Sequence, residues 1–350
     1  MSHNILITGG SGYLGGSLLA RWKEANLPAY NKLYALVRTP QQAEAIKQYG
    51  AEPLTFDALN EAEVWAAVVD NKITIVYHLI APRFHISQSH FIKALAEVKK
   101  QTGRDVHFLH TSGAKLFSSH GGAPTDKPLL DSDPKLYEIQ KAQKTPSQWM
   151  QQAIDVNNFV IEESEKHGVH SYIFVPCIVY GEGEGFGNKI SIQTVAIVRA
   201  AEAMKRVYRV DTDRPTWPVC HIRDNTNMYL KLMHNILTGA SPGNGKNGYY
   251  LASPGSVAWD DLYMAMATAL AKRNVILDDT VVTANDQNLE TIAQGLGCDK
   301  DQVAIMIGGK CTFTADRGSK ELGWKPLYKP EHILEYADAE VDCILRNKSW

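Results

Sequence analysis

The sequence predicts an α/β fold, a doubly wound parallel sheet with a smaller C-terminal lobe interleaved with it. Three observations carry that expectation. Short apolar, β-branched runs alternate with longer amphipathic stretches through the first half of the chain, the order that strands and crossover helices take in a parallel sheet. The first run leads directly into a glycine-rich turn, Gly9-Gly10-Ser11-Gly12-Tyr13-Leu14-Gly15-Gly16. With 350 residues, the chain is long enough to bury a large core and still carry an appended lobe.

Taken in order, the strands fall at 4–8, 33–37, 53–56, 74–78, 106–110 and 171–175, with crossover helices over 13–24, 40–48, 61–69 and 86–100. Right-handed crossovers put every carboxyl strand end on one edge, where ligands sit in such sheets. Asp133-Pro134 and Thr145-Pro146 each pair an N-cap with a proline at the first helical position. They open two successive helices, 134–144 and a second one that reaches Lys166 and closes at Gly168. Trp149, Ala153, Val156 and Val160 recur at helical spacing and form the core stripe of the second helix. Past residue 176 the alternation gives way to a stretch holding Gly181, Gly183, Gly185 and Gly187, then a helix over 190–205 and a strand over 249–252.

The glycine turn is the chemically informative element. Its glycines let the backbone turn tightly and approach a pyrophosphate, while the helix start offers free N–H groups and a positive dipole end. Both Gly10-x-Gly12-x-x-Gly15 and Gly9-x-x-Gly12-x-x-Gly15 fit dinucleotide fingerprints, and their place between a strand and a helix gives them weight. Gly9, Ser11, Gly12, Tyr13, Leu14 and Gly15 are therefore assigned to a cofactor. The second strand ends in Val37-Arg38-Thr39, with no carboxylate. An acid at that point bonds the ribose hydroxyls of NAD, whereas a 2′-phosphate needs a cation, and the planar fork of Arg38 suits a phosphate. NADP is the expected cofactor. Residues 1–176 form the NADP-binding domain, with sheet elements returning near 215–252, and residues 177–350 are mainly a substrate-binding lobe.

Composition narrows the partners. A formal net charge of −2 argues against nucleic acid and against an anionic membrane surface. No apolar run reaches transmembrane length, and the first strand begins too early for a signal peptide. The five cysteines, Cys177, Cys220, Cys298, Cys311 and Cys343, are scattered without a C-x-x-C pair, which fits a reduced, cytoplasmic setting. No metal motif and no G-x-S-x-G elbow occurs. The expected partner is a small-molecule substrate, and homo-oligomerisation stays open.

The chain resembles the extended and atypical short-chain dehydrogenase/reductases of the NAD-dependent epimerase/dehydratase superfamily. The matching segments, in family order, are Thr8 to Gly15, Tyr77-His78-Leu79-Ile80-Ala81, His110-Thr111-Ser112-Gly113, Pro176-Cys177-Ile178-Val179-Tyr180-Gly181, His221-Ile222-Arg223-Asp224 and Leu322-Gly323-Trp324-Lys325-Pro326. Within the superfamily it is most similar to a fungal, NmrA-like branch. The resemblance implies a Rossmann sheet and extends the cofactor set. It places Asp57 and Ala58 at the adenine, and Leu79, Ile80 and Ala81 along the ribose and pyrophosphate. Thr111, Pro176, Ile178 and Val179 join the cofactor residues, and Tyr180 and Trp217 are expected at the substrate.

Enzymes of this kind use a Ser or Thr after the fifth strand and a Tyr-x-x-x-Lys pair on the helix before the sixth, the tyrosine moving a proton that the lysine helps to release. In register, those positions hold Gly113, Gln148 and Gln152. A literal Tyr137-x-x-x-Lys141 stands on the preceding helix, with both side chains on one face. Ser112, Tyr137 and Lys141 are thus the catalytic candidates. His78 and His110 end strands and read as hydrogen-bonded structure. The expected activity is NADPH-dependent reduction of a small organic carbonyl or activated double bond. The alternatives are an NADP-binding sensor that has lost turnover, and a nucleotide-sugar-type epimerase or dehydratase.

Overall fold

Ile5, Leu6 and Ile7 are completely buried, as the residues of a strand with neighbours on both sides and helices on both faces must be. The computed structural model describes residues 2–80 and 85–350. In it this strand, β1 (Asn4–Ile7), is central to a sheet of seven with β2 (Lys32–Leu36), β3 (Glu52–Leu54), β4 (Ile75–His78), β5 (His107–Thr111), β6 (His170–Pro176) and β7 (Tyr249–Ala252). The spatial order is β7-β6-β5-β4-β1-β2-β3, and every pairing is parallel. Ile5 pairs with Leu33 on one side and Ile75 on the other, so the order reverses at β1. A ligand crevice is expected outside the carboxyl ends at that reversal.

Local signals set the helix ends. Thr39 caps Pro40–Lys47 by accepting the Gln42 N–H, and Asn60 caps Glu61–Asp70 through the N–H groups of Ala62 and Glu63. Gly168, at φ +65°, closes Gln148–His167, and the Val169 N–H reaches the Ser164 carbonyl at 2.9 Å. The proline signals before that helix act as turns. Asp133 Oδ1 accepts the Lys135 N–H and Thr145 Oγ1 accepts the Ser147 N–H, so the helices begin later, at Leu136 and Gln148. Trp149 is 38% exposed and Met150 is buried in its place. The core stripe continues as expected through Ala153, Val156 and Val160.

Residues beyond β6 build a three-stranded sheet, Gly255–Ala258, Thr216–His221 and Ile178–Tyr180, and the helices around it, among them Gln193–Met204, Trp259–Lys272 and Lys300–Ile307. β7 returns from this half to extend the main sheet beside β6. One hydrophobic cluster runs through both halves, from Ile5 to Trp217 and Ile344. Among the described residues, no helix is long and apolar enough to cross a membrane.

Candidate nucleotide-binding site

The carboxyl end of β1 passes into a turn that only glycine can make. Gly9 has φ +71°, and a Cβ there would stand 2.7 Å from the Leu79 carbonyl oxygen. Gly12 donates its N–H to Gly9 O at 2.9 Å, and Gly16 donates to Gly12 O at 2.8 Å as the Tyr13–Arg21 helix begins. A Cβ on Gly15 would lie 2.9 Å from the Gly9 carbonyl carbon, so strand, turn and helix pack backbone to backbone. Thr8 ties the neighbouring strand end to the turn, its Oγ1 accepting the Leu79 N–H at 2.9 Å. The helix start has no side-chain cap, which leaves its N–H groups for an anion.

From this turn a cleft of about 940 Å³ runs across the ends of β1, β2 and β3, lined by Gly9, Ser11, Arg38, Asp57, Ala58 and Ile80 among others. Its size suits a nucleotide. Arg38 is exposed at the end of β2 and makes no ion pair among the described residues. Gln42, which the sequence reading missed, also lines the cleft, and its Oε1 accepts the Arg38 N–H at 2.9 Å. The Thr39-Pro40 helix start carried that signal, because it sets Gln42 in the first turn above Arg38. Asp57 is the acid on the lining, but its Oδ1 accepts the Leu59 N–H at 2.9 Å. Phe56, Leu59 and Ile86 add an apolar wall that sequence patterning did not mark.

A loop from the second half sits on the glycine turn. Asn188 donates its N–H to Ser11 O at 3.0 Å, and the Glu184 N–H donates to Ser17 Oγ at 3.1 Å. Tyr13, buried, donates its hydroxyl to Gly181 O at 2.6 Å, while Leu14 packs on the small cluster of Tyr13, Val179 and Ile222. Glu184 reaches Arg21 at 2.9 Å and Arg223 at 2.7 Å. Burial raises its carboxyl, but the two arginines outweigh that and hold it below the usual carboxylate range. The glycines of this loop allow the approach: a Cβ at Gly185 would overlap Gly16, and one at Gly187 would overlap Ser11.

The other candidate residues are scattered. Thr111 Oγ1 shares a hydrogen bond of 2.8 Å with the Tyr229 hydroxyl, and Ser112 donates its N–H to Phe174 O at 2.8 Å while its hydroxyl is buried without a partner. Tyr137 and Lys141 do meet, at 3.2 Å, but on Glu162, which takes the tyrosine hydroxyl and the ammonium at 2.6 Å each. Glu162 lies fourteen residues along the helix from Gln148, about 21 Å at the α-helical rise. Neither member lines the cleft. Tyr180 is buried with its hydroxyl on His332 at 2.9 Å, and Trp217 is buried against Trp259, so both serve the core of the second half and not an open pocket. Pro176 pairs with Ala252 inside the sheet, and Ile178 and Val179 are buried in the smaller one. Ala81 lies outside the described residues. His78 Nε2 bonds Ser87 Oγ at 3.1 Å as expected, but both ring nitrogens of His110 are buried without partners.

The NAD-dependent epimerase/dehydratase family model matches residues 5–244. The chain belongs to that family. No curated protein matches this family member in sequence. Among solved structures it is similar to a dTDP-glucose 4,6-dehydratase from Bacillus anthracis in complex with NAD, at 13% identity and a TM-score of 0.66, covering 99% of this chain and 98% of that one. A UDP-glucose 4-epimerase from Thermotoga maritima gives 13% identity and 0.64, with 98% and 99% covered. Vestitone reductase from alfalfa gives 15% identity and 0.62, with 98% of both chains covered. At these identities the likeness establishes the shared Rossmann-type fold. Family membership makes this chain a nicotinamide-dinucleotide enzyme of the epimerase, dehydratase and reductase type.

Proposed function

We propose that this family member is an NADPH-dependent reductase of a small organic carbonyl or activated double bond. The observation that carries the reading is Arg38, exposed and unpaired on the cleft at the end of β2, where an NAD enzyme places an acid. The glycine turn would hold the pyrophosphate, Arg38 and Gln42 the 2′-phosphate, and Asp57 and Ala58 the adenine. When bound, the reduced nicotinamide supplies a hydride.

The residues at the usual proton positions favour reduction over epimerisation or dehydration. Oxidising a hydroxyl first requires a base to take its proton, and Gln148 and Gln152 supply none. A reductase needs a proton only after hydride has arrived, and solvent can provide it. The same Gly113, Gln148 and Gln152 support a second reading, an NADP-binding sensor without turnover. NADPH and a panel of ketones, aldehydes and enones separate the two when cofactor absorbance is followed. Consumption with at least one class is the expected result; tight NADPH binding with none consumed would reject the reductase.

A further inference from the structure

Lys115 stands in the 3-10 turn Ala114–Phe117, two residues past Gly113 at the end of β5. The turn is fixed from three directions. Gln143 Nε2 donates to Leu116 O at 2.8 Å, and Thr145 Oγ1 donates to His120 O at 2.7 Å, which ties the segment to the chain entering the Gln148–His167 helix. Ser119 donates its N–H to Lys310 O at 2.8 Å, and Cys311 Sγ lies 3.3 Å from Phe117 O, which ties it to the second half. The lysine therefore leaves the sheet at the junction of the two halves, beside the strand end and helix start that carry Gly113 and Gln148.

Its ammonium is half-buried, with no ion pair and no hydrogen-bond acceptor among the described residues. The four positions outside them, Ala81 to Phe84, carry no carboxylate. The titratable groups that feel its charge are Cys298 and His120, neither of them an acid. Asp211, the carboxylate acting on His120, is taken by the Gly309 N–H at 2.8 Å. Burial pushes the Lys115 amine down to about 8. A cation held away from water without a partner is unfavourable unless an anion arrives to meet it.

We infer that Lys115 receives an oxyanion of the substrate, so that the substrate class is a carbonyl compound carrying a carboxylate. The inference rests on the reductase reading and deepens it. Lys115 is then the residue that selects charged over neutral substrates at the end of β5.

Calorimetric binding to the NADP-loaded protein tests this without turnover. The probes are acetoacetate and 4-carboxybenzaldehyde, each against its methyl ester. Wild type binds the acids roughly tenfold to a hundredfold tighter than the esters. Lys115→Arg keeps that preference, and Lys115→Met and Lys115→Gln lose it while retaining NADP affinity and thermal stability. Equal binding of acid and ester by the loaded wild type, a preference that survives in both neutral variants, or failure of every acid to bind would overturn the inference. A wild-type protein that does not bind NADP at all would overturn the reductase reading, and this inference with it.

Discussion

Gly187→Ala adds one methyl group where the loop of the second half meets the phosphate turn. Its Cβ would overlap Ser11 O and stand 2.9 and 3.1 Å from Ser11 C and Cα, all backbone atoms that have no rotamer to escape into. Forcing a methyl into such packing costs about 1–3 kcal/mol. Losing the Asn188 N–H bond to Ser11 O costs about 1 kcal/mol more. If the strain stays in the native state, the melting temperature falls by roughly 4–8 °C. If the loop lifts away instead, the turn loses its support and NADPH binds about tenfold or more weakly. Calorimetric melting and NADPH fluorescence titration read the two outcomes. Wild-type values in both would refute the claim that this loop braces the cofactor turn.

Arg38→Ala weakens NADPH roughly tenfold to a hundredfold and leaves NADH unchanged, measured by titration of each dinucleotide; an equal loss for both would remove the 2′-phosphate role. Gly113→Ser restores a hydroxyl at no structural cost, because a Cβ there meets nothing within 4 Å and φ is extended at −167°, so its melting point stays within about 2 °C of wild type. His110→Leu changes acid stability. The folded imidazole is pushed down to about 3 by burial, while an unfolded histidine takes up a proton near pH 6.5. Stability is thus fully present above pH 6.5 and declines as pH falls below it, by about 2 kcal/mol at pH 5 for this one site. Urea midpoints at pH 5 and pH 7.5 should move in the variant's favour by that amount at the lower pH, and a pH-independent difference would contradict it.

Much of the sheet was legible because buried parallel strands write themselves as continuous apolar runs, as in Ile5 to Ile7 and Ile75 to Tyr77. The turn after β1 and Arg38 were legible for the same reason: their chemistry is local, set by neighbours a few residues away. Residues whose role depends on distant partners were not. Trp217 reads as a polar-tipped aromatic until Trp259 covers it, and Tyr137-x-x-x-Lys141 reads as a catalytic pair until Glu162 appears beside it. The helix face was right from Ala153 onward and wrong at Trp149, because the first turn of that helix rises to the 114–121 segment above the sheet. Gly185 and Gly187 marked a loop, but only Gly16 and Ser11, half the chain away, explain why they are glycines.

That seating also dictates when the cofactor cradle is complete. Ser11 is among the first residues synthesised, whereas Asn188 and the Arg223 that secures Glu184 come much later. Contacts of such sequence separation close late in folding, and β7 closes later still. Nascent chains halted soon after β6 would carry the turn without its brace, and would gain full NADPH affinity only when halted well beyond Arg223. Cofactor capture then reports on the completion of the C-terminal half, so a cell short of NADPH would expose the newest molecules, not the finished ones, to proteolysis first.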